Sequence, residues 1–191
     1  MRRRVLEVST IAAVAVFATA TAAGCAQTVT GTAQREEGSV PDPDRTYGYV
    51  DDRCGLLDDS TVQATLGAAD VVRPFSGAVC QYILSRPGGG TVDVTFSWFD
   101  TGNLAREHEL AARRGATVKD LVVERHQAFS ARRDVTGAAC SATAAAGTGV
   151  LSWWVQYRGQ KSGGQMSGDQ KPGEPCTDAL KLLTATLRSD M

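Results

Sequence analysis

The chain of 191 residues carries 20 basic and 21 acidic residues, which gives it a formal net charge of −1 at pH 7. This length suits one domain with a substantial hydrophobic core, together with a tether. Nucleic-acid binding is disfavoured, because the sequence has no basic cluster and aromatic residues make up only 6% of it.

The first 24 residues have the pattern of an export signal. Arg2, Arg3 and Arg4 precede an apolar run that is too short to span a bilayer, and small residues lead into Gly24-Cys25. A cysteine at this place is typical of lipoproteins, whose sulfur takes a diacylglyceryl group, so we predict a lipidated Cys25 on the outer face of the cell membrane. The alternative is a secreted protein with a free thiol, and the Sec and twin-arginine export routes both stay open.

Residues 25–49 are predicted to form a flexible tether that carries the lipid. They are rich in Thr, Gly, Glu, Asp and Pro and lack apolar periodicity. The remaining residues, 50–191, are predicted to fold as one domain.

Three helices are predicted in this domain. The first begins after the N-cap Asp58 and ends at Gly67, the second spans Leu104–Arg114, and the third spans Thr177–Leu187. Three leucines of the last helix stand at core spacing: Leu180, Leu183 and Leu187.

The predicted strands alternate between apolar and polar residues or are short apolar runs. In chain order they are Cys80–Leu84, Thr91–Phe99, Val118–Glu124, Gln127–Arg132, Cys140–Ala145 and Val150–Tyr157. We therefore predict the α+β class, with an antiparallel sheet covered by a few helices, mainly on one face.

Four further cysteines predict two disulfides, since an even number is expected in an exported chain. Cys80 and Cys140 each follow a Gly-Ala sequence at the start of a strand, whereas Cys54 and Cys176 each precede a short helix. Of the three possible pairings, these matched contexts favour Cys54–Cys80 with Cys140–Cys176. A zinc site is the competing use, but no two cysteines have the close spacing of a zinc knuckle.

Residues that could carry catalysis are few. His108-Glu109 begins like the helix of a zinc protease, but Ala112 stands where the second histidine ligand would be. Ser97, Asp100 and His126 could be drawn as a nucleophile triad, yet no serine lies in a nucleophile-elbow motif. We therefore assign no catalytic, cofactor-binding or metal-binding residue.

Two features of the carboxyl-terminal half bear on binding. Trp153 and Trp154 are adjacent in a strand, so their side chains point to opposite faces. If Trp153 is in the core, Trp154 is either covered by a helix, which we favour, or exposed as a binding anchor. The loop from Arg158 to Pro175 is rich in Gly, Gln, Lys and Ser, and we expect it to be mobile rather than functional.

Several motifs spread over nearly the whole chain carry a family resemblance. They are Gly24-Cys25 with 29–33, Cys54 with Leu56-Leu57, 77–80, 96–99, Gly102 with Leu104 and Glu107, Cys140, 153–155, and Cys176 with Ala179, Lys181 and Leu182. In order and type they resemble a family of small actinobacterial lipoproteins with a domain of unknown function, the mycobacterial LprB- and LprC-like lipoproteins, LprC most closely. The sequence departs from the family pattern at Tyr82, where tryptophan is usual, and in a longer loop after Arg158.

The resemblance implies anchoring in the envelope and two disulfides, and it supplies no catalytic residue. The expected function is a non-enzymatic module that binds an envelope protein or a small ligand; an envelope hydrolase and an assembly partner of a membrane protein are the alternatives. A cleft with converging Ser, His and Asp would favour the hydrolase. A deep apolar cavity would favour a small ligand, and an exposed apolar patch a protein partner.

Overall fold

A computed structural model describes residues 40–87, 89–158 and 173–189 of the chain. The predicted signal peptide, Cys25 and most of the predicted tether lie outside these ranges, and so do residues 159–172 of the loop after Arg158. Within the ranges described, no helix is both long enough and apolar enough to cross a membrane.

The elements follow one another in an order close to the predicted one. The helices are α1 (Asp59–Leu66), α2 (Leu104–Arg113) and α3 (Pro175–Arg188). The strands are β1 (Tyr49–Val50), β2 (Arg53–Cys54), β3 (Asp70–Phe75), β4 (Val79–Ser85), β5 (Thr91–Phe99), β6 (Thr117–Val123), β7 (His126–Arg132), β8 (Gly137–Ala146) and β9 (Gly149–Arg158).

Strands β3 to β9 form one antiparallel sheet in the order β3-β4-β5-β9-β8-β7-β6, and β1 and β2 form a separate small hairpin. Helix α3 packs on β8 and β9, with α1 beside it, whereas α2 packs on β6, β7 and β8. On β7, the residues on either side of Phe129 face α3, so Phe129 itself points to the opposite face of the sheet. The ring of His108 on α2 contacts Phe129, and α2 therefore lies on that opposite face. The predicted α+β class is confirmed.

The core lies between α3 and the inner face of the sheet, which we define as the face towards α3. The predicted apolar faces of β5 and β9 are confirmed as core, and they supply Val92, Val94, Phe96, Trp98, Leu151, Trp153, Val155 and Tyr157. Leu180 is only partly buried, and Leu182 takes the core position instead. Leu183 and Leu187 are confirmed as core residues, and the buried side of α3 also contains Ala179 and Thr186.

Both predicted disulfides are confirmed. The Cys54–Cys80 bond joins β2 to β4, with a Cα–Cα distance of 6.3 Å. The Cys140–Cys176 bond joins β8 to the first turn of α3, with a Cα–Cα distance of 4.9 Å. Each bond therefore ties a peripheral element to the central sheet, and none of these four thiols is free to bind zinc.

The folded part of the chain begins earlier than the predicted boundary at residue 50. Tyr47 is fully buried, its ring lies 5.8 Å from that of Trp98, and its hydroxyl donates to Asp42 at 3.1 Å. Burial raises the pKa of Tyr47 to about 12. Asp42 also lies 3.7 Å from Nε2 of the buried His126, and Arg45 donates to the carbonyl of Ser189. Residues 42–47, assigned to the tether from their composition, are thus part of the domain.

A substitution at Thr186 tests the contact between α3 and the sheet. The indole Nε1 of Trp153 donates to Thr186 Oγ1 at 2.9 Å, and both residues are fully buried. Thr186→Val keeps the shape but leaves the indole N–H unpaired, so we expect the free energy of unfolding to fall by about 1–3 kcal/mol. Thr186→Ser keeps the acceptor and should lose only about 1 kcal/mol, for one methyl group. Equal losses in urea denaturation of the two variants would contradict this role of the hydrogen bond.

Removal of either disulfide should destabilise the domain by a similar amount. The bonds close loops of 26 and 36 residues, for which the chain-entropy relation gives about 3–4 kcal/mol each. Cys54→Ala/Cys80→Ala and Cys140→Ala/Cys176→Ala should therefore both lower the denaturation midpoint. Peptide mapping without reduction checks the pairing, and a Cys80–Cys140 peptide is the result that would overturn it.

Candidate functional site

The outer face of the sheet, opposite α3, is only partly covered. Among the helices described, α2 lies over β6, β7 and β8 of this face, and none packs over the outer side of β3, β4, β5 and β9. A helix of ten residues is about 15 Å long, whereas seven strands are about 29 Å wide, so α2 can cover only part of the sheet.

The pairing register arranges the open area in two rows of side chains that cross the strands. The first row contains Phe75, Gln81, Thr95, Trp154 and Ser141. The second contains Val72, Ile83, Asp93, Gln156 and Ala139.

Trp154 lies near the centre of this open area and is half-buried. It lines a cavity of about 260 Å³ whose walls come from β3, β4, β5 and β9. We call this cavity the Trp154 groove; its outward-facing side chains are Pro74, Gln81, Ile83, Asp93, Thr95, Trp154, Gln156 and Arg158. The favoured expectation, that a helix covers Trp154, is therefore wrong for the helices described.

An apolar rim borders the groove on the side of β3 and β4. Val72, Phe75 and Ile83 are 54%, 57% and 37% exposed, although all three are large apolar side chains. Grouped exposure of this kind marks interaction surfaces more often than scattered exposure does.

The charges of the groove are balanced. Arg158 donates from Nε and Nη2 to the two carboxylate oxygens of Asp93, at 2.5 and 2.7 Å. These hydrogen bonds raise the pKa of Arg158 above its ordinary value. Such bidentate pairs fix both side chains in place. The groove therefore presents a fixed pair of opposite charges with no excess of either sign.

The uncharged polar groups of the groove are more loosely held. Gln156 donates to Thr136 Oγ1 at 2.6 Å and retains its carbonyl oxygen as an acceptor. The side chains of Gln81 and Thr95 have no hydrogen-bond partner within the described ranges. These groups are available to a ligand.

The residues considered for catalysis do not come together. Ser97 points to the outer face from β5, whereas His126 is buried on the inner side at the start of β7, three strands and so at least about 14 Å away. His126 Nδ1 lies 2.9 Å from the carbonyl oxygen of Ala145. His108 lies on α2, with Nε2 3.2 Å from Asp120. In the part of the chain described, no three His, Cys, Asp or Glu side chains are placed to hold a metal ion.

A second cavity of about 260 Å³ lies at one end of the sheet, between the start of α2 and the β8–β9 turn. Arg125, Gln127 and Thr148 contribute its polar lining, and Val40 and Pro41 lie at its edge. The cap residue Asn103, also in its lining, already accepts the N–H of Arg106. Because none of the described residues in the wall of this cavity is aromatic, the Trp154 groove is the stronger candidate for a binding site.

Sequence alternation placed Asp93, Thr95 and Ser97 together on the outer face of β5, and the structure confirms that face. The partners of this set on the neighbouring strands were missed, notably Gln81 and Gln156 by register and Arg158 by its hydrogen bonds to Asp93. Only a prediction of the order and register of the strands could have found them.

Comparison with known proteins identifies the family but no function. No curated protein and no solved structure matches the chain. One family model, described as "Protein of unknown function (DUF3558)", matches residues 20–189. Since this match covers most of the 191 residues, the chain belongs to the DUF3558 family of proteins of unknown function.

Proposed function

We propose that the protein is a lipid-anchored, non-enzymatic binding module on the outer face of the cell membrane, and that the Trp154 groove and its apolar rim bind an envelope component. The observation that carries the proposal is that Trp154, which is half-buried, lines a groove on the part of the outer sheet face that none of the described helices covers. Trp98 and Trp153, by contrast, are buried in the core.

The anchor is supported by the sequence around Gly24-Cys25 and by the likeness to the LprB- and LprC-like lipoproteins. Two disulfides are consistent with an oxidising compartment outside the cytoplasm. Each buried CH₂ group of an acyl chain contributes about 0.8 kcal/mol to membrane binding, so two or three chains on Cys25 would anchor the protein stably.

The binding role is supported by the composition of the groove. Tryptophan is enriched where binding energy is concentrated, because a large rigid ring buries much area at little cost in conformational entropy. Val72, Phe75 and Ile83 provide further apolar area beside it. An exposed apolar rim along one side of a small groove favours docking of an envelope component over enclosure of a small apolar molecule.

Cys25→Ser tests the anchor. We expect the variant to be released from membranes or to persist as an uncleaved precursor, because serine cannot take the thioether-linked lipid. Thr28→Ser, three residues further on, should remain in the membrane fraction like the wild type. A mature wild-type protein whose mass shows an unmodified Cys25 would refute lipidation.

Photocrosslinking in intact cells tests the groove. A photoreactive residue at Ile83, on the groove wall, should form a discrete adduct with an envelope component. The matched control is the same residue at Val122, which is 74% exposed on the outer face of β6, outside the groove, and should give little or no adduct. Adding Trp154→Ala should reduce the Ile83 adduct. Equal labelling at both positions, or none at Ile83, would count against the groove.

A further inference from the structure

We propose that the ligand of the Trp154 groove is an uncharged saccharide chain, an assignment that rests on the binding function proposed above. The groove combines an aromatic face, free amide and hydroxyl groups, and a neutralised charge pair. A neutral sugar matches all three, since its ring has an apolar C–H face and an edge of hydroxyl groups.

The charge balance selects against charged ligands. Among the described residues that line the groove, only Asp93 and Arg158 are charged, and each neutralises the other. An anion placed against Arg158 would also meet Asp93, and a cation placed against Asp93 would meet Arg158. The pair still offers carboxylate lone pairs and guanidinium N–H groups that can bind vicinal hydroxyls.

The positions of the polar groups suit a ring stacked on Trp154. Thr95 is the cross-strand neighbour of Trp154, and Gln81 is the next residue in the same row. Gln156 follows Trp154 on the same face of β9, about 6.6 Å further along the strand. Donors and acceptors therefore flank the indole on two sides, where the hydroxyls of a stacked ring would lie.

The shape of the groove favours a chain over a single sugar. Its volume of about 260 Å³ is below the ~300–1,000 Å³ of pockets that enclose a small ligand. The rows of side chains continue across β4, β5 and β9, a width of about 10 Å between the outer two strands. A shallow site of this kind can contact successive units of a chain that extends beyond it.

A peptide that adds a strand to the sheet is disfavoured at the nearest edge. Strand β3 is that edge, and it contains Pro74, which has no N–H to donate. The register of β3 also shifts between Val72 and Phe75. Both features hinder pairing with a further strand.

The test is a titration of the full chain, purified in a detergent without a sugar headgroup. The neutral probes are maltohexaose, cellohexaose, mannohexaose and xylohexaose, and the charged probes are hexagalacturonate and hexameric chitosan. We expect at least one neutral probe to bind saturably in calorimetry, with a dissociation constant below about 1 mM, and the charged probes to bind more weakly.

Variants separate the groove from other surfaces. Trp154→Ala should weaken binding about tenfold or more, and Trp154→Phe, which keeps an aromatic face, should weaken it less. Gln81→Ala should also weaken binding, and because Gln81 is exposed this variant should fold normally. Val122→Ala, outside the groove, should bind like the wild type.

The outcomes distinguish this proposal from the one on which it rests. The proposal is overturned if no neutral probe binds, if a charged probe binds more tightly, or if Trp154→Ala and Gln81→Ala bind like the wild type. A protein adduct at Ile83 in cells, without oligosaccharide binding, would retain the binding function and replace the sugar by a protein. The absence of both an adduct and oligosaccharide binding would remove both proposals.

Discussion

The packing of the domain depends on the contacts that the indole of Trp153 makes. The indole lies 5.0 Å from the ring of Phe96 and 6.1 Å from that of Tyr82, and its N–H donates to Thr186 on α3. One side chain thus joins strands β4, β5 and β9 to the helix that covers them. Because side chains alternate along a strand, burial of Trp153 obliges Trp154 to face the other way. The position of the proposed binding surface is therefore a direct consequence of how the core is built.

The elements that stabilise the domain are concentrated on the inner side of the sheet. Cys80 and Cys140 are fully buried there, and their bonds to Cys54 and Cys176 tie β2 and α3 to the sheet. A disulfide stabilises a fold because it lowers the conformational entropy of the unfolded chain. This stabilisation does not require a second apolar layer on the other face of the sheet. A domain held in this way can leave one sheet face partly uncovered and remain stable, which is what a face used for binding requires.

The features that the sequence predicted correctly are set by residues close together in the chain. Alternation in β5 and β9, the N-cap at Asp58 and the matched contexts of the cysteines are all local patterns. The errors concern contacts between distant segments. Composition alone could not show that Tyr47 is buried against Trp98, and no local signal places Thr95 beside Trp154, 59 residues later. The pairing register of the strands decides which side chains meet in the groove, so these residues could be identified only from the folded structure.

The point where the described chain enters the domain lies well away from the groove. Val40, where the described chain begins, lines the cavity at the β8–β9 turn together with Val150. Gln156 lies six residues further along β9 in the opposite direction from that turn, a distance of about 20 Å. Asp42 and Tyr47 fix the entry point through their contacts with His126 and with the core. The described chain therefore enters the domain at one end of β9, and the proposed binding groove lies towards the other end, so a ligand in the groove leaves the contacts of Asp42 and Tyr47 intact.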